Sequence, residues 1–119
     1  MMNHQIIDLS ADDLAALREN LHEQLLFRRD QLQQLSASAM TRADTLLDRQ
    51  SAARTEVRVK LAASARMVLA DVEAALGRMD RGDYGACHLC LWPIARERLM
   101  IVPQAGFCAR CQQVQGVAR

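Results

Sequence analysis

All four cysteines of this 119-residue chain fall in one C-terminal stretch, as two Cys-x-x-Cys pairs: Cys87-His88-Leu89-Cys90 and Cys108-Ala109-Arg110-Cys111. No other feature limits the possible folds as tightly. Each pair can offer two thiolates from one tight turn, and the roughly 17 residues between the pairs match the loop of a zinc ribbon. One structural Zn²⁺, held tetrahedrally by Cys87, Cys90, Cys108 and Cys111, is therefore expected. Two disulfides would need an oxidising compartment, and Met1-Met2-Asn3-His4-Gln5 lacks the basic flank and apolar run of an export signal. A redox pair would sit in a βαβ pattern, which neither hook has, and neither hook is followed by the His of a haem attachment site. With four thiolates at hand, His88 is expected to face solvent.

The chain has few aromatic residues, namely Phe27, Tyr84, Trp92 and Phe107, and three of them lie in or beside the cysteine stretch. Aromatic side chains supply much of the buried area in ordinary cores. The first two thirds must therefore be held by aliphatic seams, and the C-terminal unit is too short to fold on apolar burial alone without its metal. Trp92 and Phe107 are expected to pack the small core, and Tyr84 to anchor the junction between helix and finger. A formal net charge of +1 gives no overall bias toward nucleic acid or membrane. The uncharged run from Leu99 to Ala109 is too short to span a bilayer. A soluble, cytoplasmic protein is expected.

The upstream chain reads as two long helices. Residues 1–9 form a separate N-terminal segment with little signal. Ser10 followed by Asp13 is a capping-box variant, with its acid near the positive end of the helix dipole. Leu14, Leu17, Leu21, Leu25, Leu32 and Leu35 then mark one apolar face, predicting a helix of about 26 residues that stops before Ser36. In the second segment Val57, Leu61, Ser64, Val68, Val72, Ala75 and Met79 recur at spacings of three and four, near the coiled-coil period. Gly82 ends it. The fold class expected is mainly α: a long antiparallel two-helix coiled-coil hairpin over residues 10–81 with its tip near 36–48, then a four-cysteine zinc finger over 82–119 with a short C-terminal helix or tail. The same stripes would also suit a small helical bundle or a dimer.

Asp44 and Asp48 are four apart beside the predicted tip, so on a helix they share a face. Taken by itself, this spacing also fits a helix N-cap and an ordinary solvated surface.

The stretch Gly82-Asp83-Tyr84-Gly85-Ala86-Cys87, with Ile94, Arg98-Leu99, Pro103, Ala105 and the second hook, carries the pattern G-x-Y-G-x-C-x-x-C, I-x-x-x-R-L-x-x-x-P and C-x-x-C. It resembles the DksA/TraR family of zinc-finger transcription regulators over about a third of the chain, and the upstream hairpin matches the order of the longer members. The resemblance implies a bacterial protein that binds RNA polymerase directly, without sequence-specific DNA contacts. Its hairpin would enter the secondary channel with Asp44 and Asp48 at the tip. The family often spaces these acids by three and follows them with Ala; here the spacing is four and Gln50 stands two beyond Asp48, which turns one carboxylate by about 100° on a helix. Positions that are basic in alarmone-responsive members correspond to Ser64, Asp71, Val102 and Gln112, so weak or absent ppGpp binding is expected. Leu91 stands where Gly commonly follows the second cysteine.

Arg96, Arg98 and Arg110 can offset the net charge of about −2 on a four-thiolate zinc, donate to the sulfurs, contact the polymerase rim or simply solvate the finger. An enzyme is not expected: there is no Ser-His-Asp arrangement or phosphate-binding Gly loop, and four cysteines leave a zinc ion no open position. A monomer is expected. The alternatives from other classes are a zinc-ribbon module binding nucleic acid, which would need a basic stripe with accessible aromatics, and a structural coiled-coil adaptor.

Overall fold

The structure is a computed structural model that describes residues 9–41 and 49–118. Its elements are α1 (Ala11–Thr41), α2 (Arg49–Arg81), α3 (Arg96–Ile101) and α4 (Ala109–Ala118). The described residues form no strand, only an isolated bridge between Ala86 and Pro93. Among them, no helix is long and apolar enough to cross a membrane.

The start of α1 follows its local chemistry. The Ser10 N–H donates to Asp13 Oδ2 at 3.1 Å and the Asp13 N–H donates to Ser10 Oγ at 3.0 Å, so two otherwise orphaned donors are satisfied reciprocally. The helix expected to stop before Ser36 runs on to Thr41. Ser36, Ala37, Ser38, Ala39 and Met40 include no Gly or Pro, and alanine is the strongest helix former, so nothing local breaks the ladder there. At the end of α2, Gly82 takes φ +82° and closes a Schellman motif. Its N–H reaches the Met79 carbonyl at 3.2 Å, and the Asp83 N–H reaches the Arg78 carbonyl at 3.0 Å.

The chain divides into two compact units. The first joins the stretch ending at Glu23 to the stretch beginning at Asp71, and the second is Gln24–Ala70. In the first, α1 and α2 meet through Leu17, Leu21, Val72, Ala75 and Leu76, all buried, and Arg18 pairs with Asp80 at 3.1 Å. Asp13 has a second task in the same unit. Its carboxylate accepts from Arg96 Nε at 3.0 Å and from Arg96 Nη2 at 2.9 Å, tying the first turn of α1 to α3. Such a fork-to-fork pair is among the stronger exposed contacts.

In the second unit the seam differs from the expected one. Val57 and Leu61 are 56% and 47% exposed, and Ser64 is also exposed, whereas Ala65 is buried and Arg58 and Ala62 are half-buried. The inward positions of α2 run Arg58, Ala62, Ala65, Leu69, Val72, Leu76 and Met79, alternating steps of four and three. The expected stripe took two successive steps of four, Ser64 to Val68 to Val72, and each such step turns about 40° further around a helix. Val57, Leu61 and Ser64 therefore fall outside the seam, while Val68, Val72, Ala75 and Met79 of the expected stripe stay buried or half-buried. On α1 the half-buried positions include Gln24, Arg28 and Gln31, and Arg28 donates to Gln31 at 2.9 Å.

The Asp13 contact has a definite pH signature. Arg96 first, then the Ser10 backbone, lowers the Asp13 pKa from 3.8 to about 2. A folded-state pKa below the unfolded one contributes stability that is complete above 3.8 and is lost as pH falls through about 2. Asp13→Asn should lower the melting temperature by a few degrees near neutrality, and the gap to the unsubstituted chain should close across that acid window. Thermal denaturation across the pH range checks this.

Candidate metal centre

The finger begins where Gly82 stops α2. The Cys87 N–H donates to the Trp92 carbonyl at 2.8 Å and the Ile94 N–H to the Gly85 carbonyl at 2.7 Å, folding the first hook into a tight hairpin. The His88 N–H donates to the Gly106 carbonyl at 2.9 Å, bringing the second arm alongside. Cys108 and Cys111 sit at the start of α4, where the Gln112 N–H bonds the Cys108 carbonyl at 2.8 Å.

The four sulfurs converge within 4.8 Å of one another, and Cys90 Sγ lies 3.8 Å from Cys108 Sγ. A tetrahedron with Zn–S bonds of about 2.3 Å has S···S edges of about 3.8 Å. The cluster therefore has the size that one tetrahedral ion requires, and all four cysteines are free thiols. Cys87 is fully buried. Burial pushes its thiol up, but the N–H groups of Cys90, Cys108 and Leu89 outweigh that and hold it at about 6. Cys111 is pushed up to about 12, first by its hydrogen bond with Cys108. Closely spaced thiols cannot all lose their protons unaided, and a bound cation supplies the missing compensation.

The small interior consists of Tyr84, Cys87, Ile94, Leu99 and Ala105. Tyr84 does anchor the junction: its hydroxyl donates to the Pro103 carbonyl at 2.7 Å. Burial raises its pKa to about 12, so it remains a neutral donor. Arg78 is the one buried charged residue among those described, and its Nη2 donates to the Ala105 carbonyl at 3.3 Å. Trp92 does not pack the core as expected. It is 62% exposed, because Ile94 and Leu99 occupy the interior. Phe107 is half-buried and packs against the His88 ring, whose centroid is 5.8 Å away, while His88 faces solvent.

The finger arginines are placed differently from one another. Arg96 holds Asp13, Arg98 Nε donates to the Phe107 carbonyl at 3.0 Å, and Arg110 is exposed on α4. Asp71, Val102 and Gln112, three of the positions linked to alarmone response, line a cleft of about 360 Å³ with Arg78, His88 and Arg98. Asp44 and Asp48 lie outside the described residues. The Asp13–Arg96 pair, 83 residues apart, has no signal in the sequence.

No protein-family model matches the chain, and no curated protein matches it. Among solved structures, transcription factor DksA2 from Pseudomonas aeruginosa superposes with a TM-score of 0.72 at 22% identity, over 87% of this chain and 83% of that one. The chain has the DksA2 fold. The likeness to DksA2 extends beyond the finger to the two long helices that precede it, since the finger alone is far shorter than the matched length.

Leu91 closes the first hook with φ +67°, the left-handed conformation, and its N–H bonds the Cys87 carbonyl at 3.0 Å. A side chain there costs about 1–2 kcal/mol, while glycine loses about 0.5–1 kcal/mol more chain entropy on folding. Leu91 is 62% exposed, so removing it sacrifices little burial. Leu91→Gly should raise the stability of the metal-loaded chain by about 0.5–1 kcal/mol. Denaturant titration checks this, and destabilisation would show that the leucine side chain makes a contact worth more than the strain.

Proposed function

We propose that the chain is a transcription regulator that binds bacterial RNA polymerase directly, as a soluble cytoplasmic monomer and not as an enzyme. The likeness to DksA2 over 87% of the chain carries this reading. In it, α1 and α2 form an antiparallel hairpin over residues 10–81. The pairing of Arg18 with Asp80, and the groove that Leu35 shares with Ala53, Val57 and Leu61, support that course. The hairpin enters the secondary channel and presents Asp44 and Asp48 near the catalytic region, where carboxylates can act on metal and basic groups.

The finger over 82–119 is a structural junction holding one Zn²⁺ through Cys87, Cys90, Cys108 and Cys111. Zinc suits four thiolates in a closed tetrahedron, and such a site stabilises a unit too small to fold alone. Of the finger arginines, Arg110 is the one left to contact the polymerase rim, since Arg96 and Arg98 each hold a partner within the chain. The junction cleft is not proposed to bind ppGpp. Ser64, Asp71, Val102 and Gln112 supply no cation, and Arg78 and Arg98 donate to main-chain carbonyls.

The metal assignment predicts about one zinc per chain, released by mercurial titration of the thiols, with loss of finger structure when the metal is chelated. For function, the purified chain should pull down bacterial RNA polymerase, and photo-crosslinkers between residues 40 and 48 should label the channel. Asp44→Asn and Asp48→Asn should retain that binding while reducing the effect on open-complex lifetime, and added ppGpp should leave the effect unchanged. Binding without channel crosslinks would defeat the insertion reading, and unchanged regulation would return the two acids to an ordinary helix cap.

A further inference from the structure

Part of the stripe that the sequence marks as a coiled-coil seam, Val57 and Leu61, is exposed in the second unit, whereas Val68 of the same stripe is half-buried. Val57 and Leu61 are about half exposed, and with Leu35 and Ala53 they wall a shallow groove of about 390 Å³ whose remaining lining is Arg54 and Arg58. A two-helix coil needs only a narrow seam, whereas an apolar face that also takes in a flanking row is the pattern of a helix packed on two neighbours. On α2 the seam is already supplied by Ala62, Ala65 and Leu69, so the row of Val57 and Leu61 is additional.

Charge identifies the occupant. The unit Gln24–Ala70 carries eight Lys and Arg against four Asp and Glu, a balance of +4 that the whole-chain value of +1 conceals. At the groove, neither Arg54 nor Arg58 pairs with a carboxylate among the described residues. A second copy would bring the same positive unit against itself. Nucleic acid would want aromatic platforms, but the unit has one aromatic residue, Phe27, and Arg28 lies over its ring at 5.3 Å. The aliphatic walls also offer a phosphate nothing.

We propose that this groove docks an acidic amphipathic helix of a partner protein, with apolar residues at i, i+3, i+4 and i+7 lying along Leu35, Val57 and Leu61 and carboxylates reaching Arg54 and Arg58. Helix-in-groove recognition uses this anchor spacing, and charge complementarity at the rim sets the choice of partner. The docking goes beyond the polymerase reading; because the groove lies on the hairpin that enters the channel in that reading, the partner helix would engage the chain when it is free of polymerase.

The test uses the full metal-loaded chain without polymerase. A fluorescein-labelled peptide of about 20 residues, with leucines at those spacings and glutamates beside them, is compared by anisotropy with one carrying lysines instead. The glutamate peptide should bind at least about tenfold more tightly. Val57→Ser with Leu61→Ser should weaken it by about tenfold while the melting temperature changes little, because both side chains are exposed. Arg54→Glu with Arg58→Glu should reverse the preference toward the lysine peptide. Equal binding of the two peptides, no binding, or insensitivity to the Val57 and Leu61 changes overturns the proposal. So does displacement of the peptide by a single-stranded oligonucleotide, or self-association that the serine variant abolishes.

Discussion

The convergence of four sulfurs from two hooks is the constraint on which everything beyond Gly82 depends. The finger has too little apolar surface to fold by burial: its interior is Tyr84, Cys87, Ile94, Leu99 and Ala105. Cys87 is both a metal-ligand candidate and a fully buried core side chain. Bringing the sulfurs within 4.8 Å of one another is therefore the same event as closing the core. The first hook closes through a leucine in the left-handed region, and the second through the first turn of α4. A cation held by the four sulfurs would offset that strain and the cost of gathering thiols whose proton affinities have been driven apart.

From this centre the order passes to the helices through a few specific contacts. The Schellman turn fixes the direction in which the chain leaves α2. Arg78 and Tyr84 then reach from that exit to the carbonyls of Ala105 and Pro103, holding the loop that carries the second hook. Asp13 closes the circuit from the other side, because the residue that caps α1 is also the residue that grips Arg96 on α3. Finger, α2 end and α1 start thus form one unit, held as much by polar contacts with fixed geometry as by the buried leucines.

What the sequence made legible follows from range. Ser10 with Asp13, Gly82, the cysteine hooks and the odd Leu91 express chemistry that acts within a few residues, and each was readable in place. The seam was readable where burial is deep, at Leu17, Leu21, Val72 and Ala75, since large apolar residues and the helical period agree there. It was misread at Val57, Leu61 and Ser64 because two rows have coiled-coil spacing, and the row with larger side chains is not the one that faces inward. Trp92 was misplaced for a related reason: size predicts burial only when the interior has room. The Asp13–Arg96 pair was invisible because it joins the two ends of the chain through three-dimensional structure alone, and the tip acids Asp44 and Asp48 stand beyond the described residues.

The misread row also changes how the chain's charge should be understood. A net charge of +1 had argued against any electrostatic preference, yet the two compact units carry opposite signs: the unit with the finger holds seven Lys and Arg against ten Asp and Glu, and Gln24–Ala70 is +4. Electrostatic steering depends on where charge sits, because at physiological salt its reach is about 8 Å. A partner meeting Gln24–Ala70 therefore experiences a cationic surface, whatever the whole chain's balance. That surface is poor in aromatic platforms and rich in exposed aliphatic residues, which favours a protein helix over a nucleic-acid strand. The exposed Val57 and Leu61 beside Arg54 and Arg58 combine both features in one groove.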